Sequence, residues 1–294
     1  MLTSLTPAAF LPLGAPSSRD ESRLARQPTP ESAVRRSFMD TRDGQLHLRL
    51  VMPANATNTP CLCIHHTPVA SRSFLPLLRR AGATRMALAP DLAGHGDSDI
   101  PPTRPTIGDH AWTMGRIVDQ LGIREIDVIG HGAGAVVAVE LARSRPAHVR
   151  RLVLVSPPPA GTTPPARPAG PTPDPATPDA GWVSRLWQAR LAQRGAQQTP
   201  TALWQTFVEE LRLGDRAAWY LDALSDYLAT SSAAAVEKPT LVLAPDERLW
   251  TLDAGEHRSW PVGARVTAVP DLGPDALGDP TDRLSTLILA FLDE

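Results

Sequence analysis

The sequence predicts an α/β protein with a mostly parallel twisted sheet flanked by helices. Two observations predict it: short apolar runs of strand length recur along the chain, and helical patterns separate most of them. Central parallel strands are covered on both faces and so read as continuous apolar runs, which is the pattern seen here.

The elements follow in order. Arg36–Asp40 and Leu46–Met52 read as a hairpin joined across Asp43-Gly44. Strands are then expected at Pro60–Ile64, Arg85–Ala89, Ile126–Gly130, Arg151–Val155, Thr240–Ala244 and Arg265–Val269, with a final helix over Ser285–Leu292. Cys61 and Cys63 stand two apart in one strand, on one face, and read as buried core thiols.

Residues 1–33 are rich in Pro, Ser, Ala and Arg without periodicity and read as a mobile N-terminal extension. Residues 34–156 and 236–294 form the expected core, and residues 157–235 a Pro-rich linker followed by a helical lid. Helix and central strand are both excluded from Pro157 to about Pro178 by the density of Pro and Gly. The lid carries Trp182, Trp187, Trp204 and Trp219, candidates to line a small-molecule pocket or to pack the lid onto the core.

A formal net charge of −2 gives no electrostatic footprint for nucleic acid or an acidic membrane. No apolar run is long enough to span a bilayer, and the N-terminus lacks the layout of a secretory signal, so the expected location is cytoplasmic. No metal-ligand or cofactor motif stands out, so neither is expected; the expected partner is a small molecule, and oligomeric state is left open.

Three segments carry a more specific signal. Cys61-Leu-Cys-Ile-His-His-Thr-Pro68 is a strand running into a loop; Ala89-Pro-Asp-Leu-Ala-Gly-His-Gly-Asp-Ser-Asp99 is a glycine-rich loop; Gly130-His-Gly-Ala-Gly134 is the strand-to-helix turn. Together they resemble the α/β-hydrolase superfamily, with its His-Gly oxyanion loop, its Pro-Asp-x-x-Gly-x-Gly-x-Ser loop and its Gly-x-Ser-x-Gly nucleophile elbow. The resemblance places Gly132 at the nucleophile and Pro274 at the base histidine, and neither can attack or accept a proton. It also puts His66 where the family has glycine.

By the same resemblance the oxyanion donors are the backbone N–H groups of Thr67 and Ala133, untouched by the losses at Gly132 and Pro274. The candidate proton carriers near them are His65, His66, His131, Asp246 and Glu247. His47, His95, His110, His148 and His257 read as structural or exposed. The expected activity is cofactor-independent, non-hydrolytic chemistry on a carbonyl-bearing metabolite, such as cyclisation, elimination, isomerisation or carbon–carbon bond change. The alternative is a catalytically inactive ligand-binding or partner-binding protein.

Overall fold

The computed structural model describes residues 33–158, 180–192, 194, 198–214, 216–231, 236–245, 260–270, 272, 277 and 283–294. Eight strands form one sheet in the order β1-β2-β4-β3-β5-β6-β7-β8. They are β1 (Arg35–Thr41), β2 (Gly44–Val51), β3 (Cys61–Ile64), β4 (Ala87–Pro90), β5 (Ile126–His131), β6 (Val149–Val155), β7 (Thr240–Ala244) and β8 (Arg265–Ala268). β2 runs antiparallel to β1 and β4, and every other pairing is parallel. The hairpin differs by one position from the expectation. Thr41 pairs with Gly44, so Arg42 and Asp43 form the two-residue loop. Gly44 opens β2 at φ +109°, where a β-carbon would lie 2.8 Å from Asp99 Cβ.

Helices α1 (Leu75–Ala81), α2 (Ile107–Gln120), α3 (Ala133–Ser144) and α7 (Arg283–Leu292) cover the sheet. Alternation along the strands sorts the core into two layers: Leu62, Ile64, Val128, Leu152 and Leu154 pack with Met114 and Ile117 of α2 and Val137 of α3. Cys61, Cys63, Ile129, Val153 and Val155 pack on the other side with Leu77 and Leu78 of α1 and Ile288 and Phe291 of α7. Both cysteines are buried free thiols on that second face. α2 starts at a capping box, in which Thr106 Oγ1 accepts from Asp109 N–H and the Asp109 carboxylate accepts from Thr106 N–H, each at 3.0 Å.

Between β6 and β7 lie three further helices, α4 (Ala180–Ala192), α5 (Pro200–Leu213) and α6 (Arg216–Thr230). Most of the expected Pro-rich linker lies outside the described residues. α6 is tied to the core from within: Tyr227 donates to Glu140 Oε2 of α3 at 2.7 Å, and Tyr220 is buried against the rings of His95 and His110. α5 is held by ion pairs from Arg212 to Asp97 at 2.8 Å and from Arg72 to Glu209 at 3.4 Å. α4 rests on α5 through an Arg190 to Glu210 ion pair at 2.5 Å and through Trp187 on Phe207. No helix among the described residues is long and apolar enough to cross a membrane.

Candidate functional site

The C-terminal ends of β3, β4 and β5 bring the three motifs together. β3 and β5 pair up to Ile64 with Gly130, and β4 lies on the other side of β3. At the end of β5 the chain turns straight into α3, and Gly132 makes that turn at φ 53° and ψ −124°. A side chain resists positive φ, and glycine does not. The flanking glycines are explained by close approach rather than by dihedral: a β-carbon on Gly130 would lie 2.5 Å from Ala135 Cα, and one on Gly134 would lie 2.4 Å from the carbonyl oxygens of Ile64 and His65. The helix N-terminus is thereby pressed against the loop that follows β3.

His66 of that loop fills the space over Gly132. A β-carbon built on Gly132 would stand 2.4 Å from His66 Nδ1 and 2.8 Å from its Cγ. The same Nδ1 accepts the Ala133 backbone N–H at 3.4 Å. In this arrangement the Ala133 N–H expected as an oxyanion donor faces the imidazole. Because Nδ1 accepts, the ring proton sits on Nε2. Burial, reinforced by the neighbouring His65 and by the charge of Arg190, lowers the His66 pKa to about 4, so the ring is neutral at pH 7.

His65 carries a different load. Its Nδ1–H donates to the His66 carbonyl at 3.0 Å and its Nε2 accepts from Leu92 N–H at 2.9 Å. With both nitrogens hydrogen-bonded, His65, a candidate proton carrier, links the β3 loop to the loop after β4. Thr67 is buried, and its hydroxyl meets His95 Nε2 at 2.7 Å. His131 is buried beside His66, ring centroids 5.6 Å apart, with no partner for Nδ1 among the described residues; burial lowers its pKa to about 3. Asp246, Glu247 and Pro274 lie outside the described residues.

The glycine-rich loop after β4 is a scaffold. Asp91 is buried and accepts from Ser71 N–H at 2.7 Å, Asp97 N–H at 2.9 Å and the His47 ring at 2.7 Å, while Ser98 Oγ donates to the Asp91 carbonyl at 2.8 Å. Burial opposes the Asp91 charge, yet these hydrogen bonds outweigh it and hold the carboxyl well below the usual range. Gly96 is required there, since a β-carbon would lie 2.1 Å from Asp91 Oδ2.

The four tryptophans do not act alike. Trp187 packs edge-on against Trp204 and Phe207, while Trp204 remains 55% exposed. Trp219 is half-buried with the Arg104 guanidinium 5.8 Å above its ring, and Trp182 is half-buried on α4.

Three polar groups on this face escape sequence reasoning. Arg190 reaches His66 only through its charge, Tyr220 has a buried hydroxyl, Ser156 stands at the end of β6 with φ 44°, and neither the Tyr220 hydroxyl nor the buried Ser156 Oγ has a partner among the described residues. A strained non-glycine residue beside the turn is a functional signal, but the sequence carries no mark of it.

The α/β hydrolase fold family model matches residues 62–244. The chain belongs to that family. Curated relatives include an epoxide hydrolase 3 of Siraitia grosvenorii, 38% identical over 113 residues, which are 37% of this chain and 35% of that protein. They also include a 2-hydroxymuconate semialdehyde hydrolase of Pseudomonas putida, 35% identical over 108 residues, 33% of this chain and 35% of that one. The first relatives match over 69 residues, and the chain spans 20% of their length. Among solved structures, an epoxide hydrolase named CorEH superposes with a TM-score of 0.65 at 16% identity over 89% of this chain and 99% of the other. The enol-lactonase from Burkholderia xenovorans gives 0.65 at 15% identity over 88% and 100%. These structures share the fold.

Proposed function

We propose that this chain is a non-hydrolytic member of the α/β-hydrolase family that binds a small molecule at the face where its relatives act, with Gly132 at the nucleophile position and Pro274 at the base position. The observation that carries this reading is the His66 ring, which fills the side-chain space at Gly132 and takes the Ala133 N–H. A hydrolase of this family needs an attacking group at the turn and an empty donor to receive developing negative charge. Here one is missing and the other is occupied. The names of the relatives point to hydrolysis, but their matches cover about a third of this chain, and the residue at the turn decides the chemistry.

Chemistry at an open oxyanion hole, the enzyme reading favoured by sequence, would require His66 to leave its place. His66 is also a poor proton carrier in the observed arrangement, because its Nδ1 lone pair faces a backbone N–H and its Nε2 already holds the proton. The helices α4 to α6 serve in this reading as a lid over a binding site, with Trp182, Trp187, Trp204 and Trp219 as its aromatic content.

The test is to incubate the purified protein with an aryl ester, a styrene epoxide and a haloalkane, follow each by NMR, and treat a parallel sample with a serine-directed fluorophosphonate. All three compounds are expected back unchanged and the protein unlabelled. Turnover that scales with protein concentration, or covalent labelling at Ser156, would overturn the reading and make Ser156 the nucleophile.

A further inference from the structure

We propose that α6 is a proton-released latch: Tyr220 closes over His95 and His110, and acidification lifts the helix end that carries it away from the loop after β4 and from α2. The inference does not depend on what the neighbouring site binds.

The contacts come first. The Tyr220 ring stands edge-on to His95 at 5.6 Å and tilted to His110 at 5.3 Å, and all three residues are buried. His95 in turn lies 5.2 Å from the ring of His65. One aromatic side chain of α6 thus covers two imidazoles, one from the loop after β4 and one from α2. No hydrogen bond fastens it, since its hydroxyl has no partner among the described residues. The far end of α6 is held differently, by the 2.7 Å hydrogen bond from Tyr227 to Glu140. Between them the Arg104 to Asp222 pair at 3.4 Å is exposed on both sides and holds the helix weakly.

The groups around the two imidazoles keep them neutral while α6 is closed. His95 Nδ1–H donates to the Ala93 carbonyl at 3.3 Å, and its Nε2 accepts from the Thr67 hydroxyl at 2.7 Å. Its other neighbours are His65, His110 and Asp91, and the Asp91 carboxylate already accepts from Ser71, Asp97 and the His47 ring. From α6 comes a cation: a β-carbon built on Gly94, next to His95, would lie 3.6 Å from Arg216 Cδ. His110 faces Tyr220 and His65, and the carboxylate beside it, Asp109, is tied to Thr106 and Arg42. Burial lowers both pKa values, that of His110 to about 4.

Once α6 lifts, water reaches the two rings and their pKa returns to about 6.5. Lifting therefore takes up protons as pH falls below about 6.5, and the closed state weakens progressively until about 4, where His110 is protonated in place. Each histidine favours the lifted state by roughly twentyfold between about pH 7 and about pH 5.

The test is amide hydrogen exchange of α6, β5 and β6 over the same pH range, expressed as protection so that the intrinsic pH dependence of exchange cancels. Protection in residues 216–224 is expected to fall by roughly twentyfold per histidine while β5 and β6 keep theirs. His95→Gln and His110→Gln should each remove one histidine's share of that fall. Tyr220→Ala keeps both histidines and removes their cover. It should leave α6 poorly protected at every pH and raise the His110 pKa from about 4 towards the ordinary value, read by NMR of the ring protons. Protection of α6 that does not change with pH overturns the inference. So does an equal loss in β5 and β6, which is global acid unfolding, a fall that persists undiminished in the two histidine variants, or a His110 pKa that stays low in Tyr220→Ala.

Discussion

The two ends of β5 bury polar side chains in opposite ways. At the N-terminal end Asp127 is fully buried, yet it is paired with Arg85 at 3.3 Å and with Arg150 at 2.7 Å, and Arg150 goes on to donate to the Leu292 carbonyl at 2.6 Å. Arg85 is also paired with Asp293. At the C-terminal end the polar groups are neutral and incompletely used: His131 Nδ1, Ser156 Oγ and the Tyr220 hydroxyl have no partner among the described residues. Arg85 Nε also lacks a partner among the described residues, so the difference lies in charge: at the N-terminal end every buried charge is paired, while at the other end the orphaned groups are neutral. The contrast separates a charged clamp from a cluster of neutral polar groups along one strand of six residues.

The largest effect should come from breaking the clamp. Asp127→Ala leaves the Arg85 charge buried with one partner fewer and should cost about 3–5 kcal/mol of stability, seen as a fall in the urea midpoint. Ligand affinity per folded molecule should not change. A loss below about 1 kcal/mol would mean that the clamp is dispensable and that the two ends do not differ as described.

An intermediate effect is expected at the other end. Gly132→Ala places a β-carbon at positive φ and against His66, and should cost about 1–3 kcal/mol. Adding His66→Gly removes the steric part, so the double variant should be more stable than the sum of the two single changes predicts. Strict additivity would show that the ring does not occupy that space.

The smallest effect tests whether the orphan hydroxyl is structural. Tyr220→Phe removes a buried O–H with no partner among the described residues and should change stability by less than about 0.5 kcal/mol, or raise it slightly. A loss of 1 kcal/mol or more would reveal a hydrogen bond that places this hydroxyl with the clamp rather than with the site.

The fold was legible because its determinants are local. Strand-length apolar runs lie within a residue or two of all eight strands, and Gly130, Gly132 and Gly134 mark the turn through their spacing alone. The hairpin slipped by one position because Asp43-Gly44 satisfies the same turn rule as the observed Arg42-Asp43 loop, with Gly44 taken up as the first strand residue. The site was only half legible. That a histidine stands at position 66 could be read, but that its ring enters the side-chain space of Gly132 depends on how closely α3 presses on the β3 loop, a distance between residues 66 positions apart. Arg190 and Tyr220 enter from an insertion whose own sequence is only amphipathic, and the partners of Asp127 come from Arg85, Arg150 and Asp293. Periodicity has no means of naming such pairings.

The contact between His66 and Gly132 also governs which sequences are neighbours of this one. A serine introduced at 132 meets an imidazole already in its place, while a glycine introduced at 66 opens a donor that has no attacking group beside it. The first of these changes lowers stability, because it forces a β-carbon into positive φ and against the ring. The two positions therefore constrain each other: a side chain at 132 needs the ring at 66 to move, and the ring at 66 needs position 132 to stay bare.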